Sequence, residues 1–448
     1  MNKKYSYWIN SGQYSMLQKV LILLFGVISF MILARSLSKH DLGVWGLFLI
    51  ISSIVETLRN ALIRNGYVLF INSKKEELHA GIEYAAIFIN IVFSILLIAV
   101  ILPFSPAIES LFNAPGLSIL LYYFCITLVV LIPFSYLEIF SVSRLDFKAV
   151  FWMYFVRNGL MLTIVAFYFF SAITMSLSHL AIIYLISTVA GGITGFLASR
   201  KYQKPLIKRD KNLLKQFISF SKYVFSNNLF SLVFRSTDSF MTASLISAGA
   251  SAFYSTCTRI TNLVDMPSQV FADIMFPKAA QIMKTNDLES IKRIYEKTVA
   301  ATLTFTIPAI LIILIFPRQL LHVVAGKDYI EAAPILQTII FYGFFLPFIK
   351  QFGNVTDVMG KPHINSRLMA VFAALNIGLN ILAIRRFGLF GSAYATLSSY
   401  FLLFITTQII LKGLLKTSPI NIFKNIFQFY SEYLKMLRNF LGKYADVR

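Results

Sequence analysis

The chain has 448 residues, 57% of them hydrophobic and 14% charged, with 41 Lys and Arg against 20 Asp and Glu for a formal net charge of +21. Soluble globular domains carry about 25% charged residues, so this composition excludes an ordinary soluble fold and indicates a polytopic membrane protein. The basic surplus falls mainly between apolar runs, where it holds loops on the cytoplasmic side, and no soluble stretch is long enough for a nucleic-acid-binding domain, which excludes nucleic acid as a partner.

Lys3 and Lys4 precede an apolar run from Val20 to Leu33 that no A-x-A cleavage site follows. The first span is therefore expected to be uncleaved. Apolar runs of about 20 residues cross a bilayer as helices. They fall near 16–34, 43–63, 80–102, 118–140, 150–171 and 178–199, and again near 223–246, 251–275, 296–316, 331–349, 365–384 and 390–412. The expected fold is all-α, with about twelve transmembrane helices.

The loops orient these spans. Lys74 and Lys75 lie in the second loop, Arg144 and Lys148 in the fourth, and seven cations from Arg200 to Lys215 in the sixth. The eighth carries Lys278, Lys284, Lys292, Arg293 and Lys297, and the tenth Lys361 and Arg367. The third (Phe104 to Leu117), fifth and seventh have no Lys or Arg. Arg35, Lys39, Arg318, Lys327, Arg385 and Arg386 break the alternation, which still places both termini in the cytoplasm.

The basic break in the middle divides the chain. An N-terminal six-helix lobe is expected over 1–199, a basic cytoplasmic linker over 200–222, and a C-terminal six-helix lobe over 223–412. Trp45 and Tyr254 each open an even-numbered span, and Glu56 and Asp265 follow about three turns on. Asn158 and Asn376 align in later spans. This weak parallel repeat implies two bundles related by an axis along the membrane normal. Over 413–448 the texture changes to a basic amphipathic cytoplasmic tail. Phe423, Ile426, Phe427, Tyr430, Leu434, Leu437 and Leu441 share one helical face, with Lys424, Lys435, Arg438 and Lys443 between them. Such a helix lies on the inner leaflet or binds a soluble partner.

The chain contains no HExxH, GxSxG or Walker A motif, so no enzymatic activity is expected, and any transport draws on a gradient or on the fate of the substrate. Cys125 and Cys257 lie in apolar runs and the five histidines are scattered, so neither metal nor cofactor is expected. The informative residues are charges inside spans, each costly in a bilayer. Glu56 and Arg59 stand at i, i+3, as do Arg235 and Asp238, while Arg259 and Asp265 share the next span and Arg157 opens the fifth. One reading is that the pairs neutralise themselves, and that Arg64, Asp273 and Lys350 snorkel to the interface. The other is a water-filled cavity between the bundles, lined by Arg59, Arg157, Arg235 and Arg259, whose planar forks favour a phosphate-bearing anion. Glu56, Asp238 and Asp265 then balance those charges or bind a coupling cation. Pro133, Pro267, Pro308 and Pro347 lie within spans, where proline kinks a helix and frees carbonyls, and Gly191-x-x-x-Gly195 allows two helices to approach closely.

Three stretches resemble a known family. ARSLSKHDLGVWGLFLIISSI, from Ala34, is similar to the first loop and second span of the polysaccharide-export (Wzx-type, O-antigen) flippases of the MATE-like MOP superfamily, although Leu42 replaces the usual aromatic before Gly43. FRSTDSFMTASLISAGASAFYSTCTRI resembles their seventh and eighth spans, and Gly360 to Tyr400 resembles their last two, with G-K-P, N-x-x-x-N and G-x-x-G-[SA]-A. The resemblance implies a MATE-like fold of two six-helix lobes and a transporter in the bacterial cytoplasmic membrane. Its implied substrate is undecaprenyl-pyrophosphate-linked oligosaccharide, flipped by alternating access for surface polysaccharide synthesis. Arg157, Arg235 and Arg259 then contact pyrophosphate or acidic sugars, with a proton or sodium ion and polysaccharide-assembly proteins as further partners. A multidrug or metabolite antiporter of the same fold and a non-transporting scaffold are the alternatives. Lipid II flippases usually carry two extra C-terminal spans, and the amphipathic tail expected over 413–448 weighs against that branch.

Overall fold

The computed structural model describes residues 3–73, 75–144, 146–171, 173–200, 202, 208–283, 287–418 and 420–431. Lys74, Lys201, Lys204 and Lys284, counted above among the loop cations, lie outside the described residues, as does the tail from 432 onward. The protein is all-α. Its helices are α1 (Lys3–Ser36), α2 (Lys39–Ser73), α3 (His79–Leu111), α4 (Leu117–Ser143), α5 (Phe147–Phe170), α6 (Leu177–Ser199), α7 (Lys211–Leu245) and α8 (Ala248–Met283). They continue with α9 (Leu288–Ile315), α10 (Pro317–Ala325), α11 (Ala333–Ile339), α12 (Tyr342–Val358), α13 (Pro362–Phe387) and α14 (Leu389–Leu415).

Among the described residues nine helices are long and apolar enough to cross a membrane, and α11 with α12 makes a tenth if the bent pair is one span. The long helices α7 and α8, richer in polar residues, bring the segments to the expected twelve. Side-chain caps fix several starts, as an N-cap oxygen satisfies the orphan donors of a first turn. Asp146 accepts from Ala149 N at 3.2 Å, Asp210 from Asn212 N and Leu213 N, and Ser176 forms a capping box with His179. The α13–α14 turn depends on glycine. Gly388 has φ +58°, and a Cβ on Gly391 would meet Ala383 O at 2.1 Å.

Three stretches differ from expectation. The third loop is largely helical, because α3 runs through Pro103 and Pro106 to Leu111. Pro106 cannot donate to Leu102 O, but Ser105 Oγ donates to it instead at 3.2 Å, so the freed carbonyl is satisfied. The span foreseen at 331–349 is broken by a bend of 50°, where Gly343 N and Phe344 N bond three residues back, to Ile340 O and Phe341 O. The basic stretch 200–222 is helical from Lys211.

The chain forms two compact units. The first comprises Met1–Leu232, Thr242–Ala252 and Val323–Gly326. Within it α4 packs on α2, α3, α5 and α6, and α1 packs on α5. One end is sealed by Ile63, Tyr67, Ile82 and Ile139 with Leu213 and Phe217 of α7. The second unit comprises Val233–Met241, Phe253–His322 and Lys327–Arg448. Here α14 packs on α9, α11, α12 and α13. A helical stretch at 420–431 places Ile422 and Ile426 in the core with Tyr295, Val299 and Phe352. Phe423 and Phe427 on its other side are exposed.

Candidate functional site

In the first unit the charges meet on α2, α5 and α6. Arg157 on α5 grips Glu56 on α2 with both arms, Nη1 to Oε2 at 3.0 Å and Nη2 to Oε1 at 2.6 Å. Tyr184 on α6 completes the unit: its hydroxyl accepts from Arg157 Nη2 at 2.9 Å and donates to Glu56 Oε1 at 2.8 Å. The Arg157 guanidinium lies 5.2 Å from the ring centroids of both Phe134 and Tyr184. Tyr184 is itself edge-on to Phe48, with centroids 5.4 Å apart. This close approach of α4, α5 and α6 requires Gly191. A Cβ there would stand 2.9 Å from Met153 O, 3.0 Å from the Phe134 ring and 3.1 Å from Arg157 Cβ. A two-armed Arg–carboxylate pair is among the strongest polar contacts available to side chains.

Arg59 is 1% exposed. Its Nη2 donates to Ser94 Oγ at 3.0 Å, and Ser94 in turn donates to Asn90 O at 2.9 Å. Two further buried carboxylates are held by phenols. Tyr154 donates to Glu138 at 3.0 Å, and Tyr67 and Tyr136 donate to the two oxygens of Glu83 at 2.6 and 2.7 Å.

In the second unit the charges form two groups. Asp265 on α8 is 5% exposed; Lys350 Nζ on α12 donates to its Oδ2 at 2.5 Å, and Arg235 Nη2 on α7 stands 3.9 Å from the same atom. Arg235 has 51% of its side chain exposed. Asp265 Oδ1 is buried with no hydrogen-bond partner among the described residues. Tyrosines surround this group. Tyr342 and Tyr400 stack with centroids 4.7 Å apart, Phe234 packs on Tyr400 at 5.0 Å, and Tyr342 pairs with Thr261 at 2.8 Å. Asp238 instead faces neutral donors. Asn380 Nδ2 donates to its Oδ1 at 2.8 Å and Asn376 Nδ2 at 3.3 Å, while Ser399 Oγ donates to Asn376 Oδ1 at 3.0 Å. Tyr254 and Thr396 hydroxyls pair with each other at 2.7 Å beside the same carboxylate. This pocket carries one formal negative charge, and the amide groups around it turn N–H donors towards that charge.

The i, i+3 spacing thus misidentifies partners. Glu56 hydrogen-bonds to Arg157, 101 positions away, and not to its neighbour Arg59. Asp238 bonds to Asn376 and Asn380, and Arg235 is nearest Asp265. Arg259 is partly buried on α8, the helix that carries Asp265. Lys350, foreseen as snorkelling, is drawn to Asp265 instead. Sequence reasoning missed the tyrosines, which read as apolar, and did not assign Asn376 and Asn380 to the site, although their N-x-x-x-N spacing puts them on one helix face.

The family model described as "Polysaccharide biosynthesis protein" matches residues 32–334. Among curated proteins the chain is 23% identical over 252 residues to an uncharacterized membrane protein of Methanocaldococcus jannaschii, covering 56% of this chain and 50% of that one. It is 23% identical over 216 residues to the probable low-salt glycan biosynthesis flippase Agl15 of Haloferax volcanii, covering 48% and 44%. It is 20% identical over 340 residues to the lipopolysaccharide biosynthesis protein WzxC of Escherichia coli, covering 75% and 66%. The chain spans about half the length of the first two relatives. Among solved structures, it superposes on an inward-facing multidrug resistance MATE family transporter of the MOP superfamily with a TM-score of 0.76, at 12% identity over 89% of this chain and 96% of that one. It superposes on the lipid II flippase MurJ, in an inward closed conformation, with a TM-score of 0.74 at 14% identity, over 95% and 93%. At such identities the likeness is one of fold.

Proposed function

The chain belongs to the polysaccharide biosynthesis protein family, and from that premise we propose that it flips undecaprenyl-pyrophosphate-linked oligosaccharide across the bacterial cytoplasmic membrane by alternating access, with both termini cytoplasmic. The observation that carries this reading is the Arg235–Asp265–Lys350 group. Two cations share one carboxylate there, and the half-exposed Arg235 is not locked into a two-armed pair. A fork of this kind matches a phosphate. Arg157 in the first unit and Arg259 in the second are each assigned to anionic groups of the substrate, and Glu56 and Asp265 balance charge within their own units. The glycan flippase among the relatives and the lipid II flippase among the folds support a lipid-linked cargo. Asp238, surrounded by neutral donors, is assigned to a coupling proton or sodium ion.

The test is flipping of a lipid-linked oligosaccharide by the purified protein in proteoliposomes. Arg235→Gln is expected to abolish flipping, and Asp238→Asn to remove its dependence on a cation gradient while leaving pyrophosphate binding intact. Unaltered flipping by both Arg235→Gln and Arg157→Gln would falsify the site assignment. The Asp238 pocket also favours a second reading, cation-coupled export of small molecules. Robust drug efflux with no defect in polysaccharide on deletion would select it.

A further inference from the structure

Arg59 poses a problem that the proposed substrate contacts do not solve. It sits near the middle of α2, 1% exposed, with Nε and Nη1 buried and without a hydrogen-bond partner among the described residues. Its partner Ser94 is neutral. Arginine does not shed its proton in proteins, so a permanent cation lies inside a membrane span with a hydroxyl as its one hydrogen-bond partner among the described residues. Buried charge persists when a counter-charge is within reach. The carboxylate in position to serve is Glu56, one turn earlier on the same face of the same helix, and Glu56 is occupied by Arg157 on α5.

We propose that Glu56 is an exchangeable counter-ion, held by Arg157 in the arrangement seen here and passed to Arg59 when a substrate phosphate takes Arg157. The inference rests on the reading that Arg157 binds the pyrophosphate. Both arms of Arg157 point at Glu56, so a phosphate takes that two-armed position only by displacing the carboxylate. Released with nowhere to go, Glu56 would be an unpaired anion beside a second anion. Released to Arg59, it satisfies the two idle donors there, and the number of paired charges rises. The move needs rotations about side-chain bonds of Glu56 and no shift of α2, because Glu56 and Arg59 share that helix. The Tyr184 hydroxyl, which bonds to both Glu56 and Arg157, stays with Arg157. Arg59 is therefore a positioning residue. It frees the fork of Arg157 without touching the substrate, which agrees with its complete burial.

The exchange predicts a pattern of coupling that a merely structural arginine would not produce. Binding of undecaprenyl pyrophosphate to the full-length protein in nanodiscs is the readout. Glu56→Gln, which unlocks Arg157, is expected to bind about tenfold tighter, and Arg59→Met, which strands Glu56 on Arg157, about tenfold weaker, in line with measured couplings of close charge pairs. The double variant is expected to match Glu56→Gln, since without the carboxylate Arg59 has nothing to receive. Equal weakening by Arg59→Met with Glu56 intact and with Glu56→Gln present overturns the exchange and leaves the substrate assignment standing. Wild-type affinity in Arg157→Gln overturns both. Should Arg59→Met not accumulate, Ser94→Ala applies the opposite bias. Losing the hydroxyl strengthens the pull of Arg59 on Glu56, so binding tightens a few-fold when Glu56 is intact and not when Glu56→Gln is present; no change in either case refutes the proposal.

Discussion

Lys350→Met isolates the part that one cation plays in keeping another free. Lys350 holds Asp265 Oδ2 at 2.5 Å, whereas Arg235 stands 3.9 Å away. Removing the ammonium leaves a carboxylate that is 5% exposed, with one oxygen already lacking a partner. Breaking a buried pair by deleting one member costs about 3–5 kcal/mol. Lys350 itself is 18% exposed, and Arg235 is near enough to swing onto Asp265, so about 2 kcal/mol is the expected loss. The replacement has a second consequence. Once Arg235 pairs closely with Asp265 its fork is no longer available, so flipping is expected to fall even though Lys350 is not assigned to the substrate. Unfolding in mixed micelles measures the first effect and proteoliposome flipping the second. The companion variant is Lys350→Met with Asp265→Asn, which removes charge and counter-charge together, and it should recover most of the stability and part of the flipping. If the double variant is less stable than Lys350→Met alone, or if Lys350→Met flips at the wild-type rate, the reasoning fails.

Three further outcomes follow from the contacts. Gly191→Ala drives a methyl against Met153 O, Phe134 and Arg157, so it should cost about 1–3 kcal/mol and lower phosphate binding by displacing Arg157; unchanged unfolding and binding would count against the close α4–α5–α6 approach. Glu296→Gln weakens the bonds its two oxygens accept from Ser418 N at 2.8 Å and Asn421 Nδ2 at 3.2 Å; with about 1 kcal/mol lost, proteolysis should cut faster around 416–421, and an unchanged rate would show that Ile422 and Ile426 suffice to hold the last helix. Asp287 caps α9, and hydrogen bonds from Ser290 hold its carboxyl below the usual range. A depressed pKa adds stability that is present above the unfolded value of about 3.9 and is lost as pH falls through the folded value; Asp287→Asn should flatten that limb of the stability–pH curve, and an identical curve would dismiss the cap.

The membrane spans were legible because each needs a long apolar run, and a run of that length seldom serves any other purpose in a folded chain. The loop expected at 104–117 is largely helical, since a serine one residue away satisfies the carbonyl that Pro106 frees, and only the structure shows that it does. The site residues were legible as types and not as partners. A charge in a span announces itself, but spacing along one helix reports only which side chains share a face. Arg157 finds Glu56 through the packing of α2, α4, α5 and α6, which Gly191 permits, and no local pattern encodes that meeting. The tyrosines were invisible for a different reason. A phenol is mostly apolar surface, so Tyr184 and Tyr400 read as filler until the hydrogen bond or the stack is seen.

A common stoichiometry connects the two clusters. In the first unit Glu56 is set against Arg157 and Arg59; in the second, Asp265 is set against Lys350 and Arg235. Each of these two groups sets two cations against one carboxylate, and the two carboxylates, Glu56 and Asp265, are the pair that the weak repeat aligns. Simple neutralisation would have been met by one cation in each, and an unmatched guanidinium in a span is a cost with no structural return. What differs is how the surplus is kept. In the first unit the loosely satisfied arginine is buried and the carboxylate is the group that must move. In the second the surplus arginine is exposed and the carboxylate is pinned by lysine. Under the proposed exchange, an anionic ligand of one or two charges completes either cluster, and only the first rearranges to accept it. On this account the first unit supplies the slower, gated step of substrate capture, and Glu56→Gln should speed association with pyrophosphate while Asp265→Asn does not.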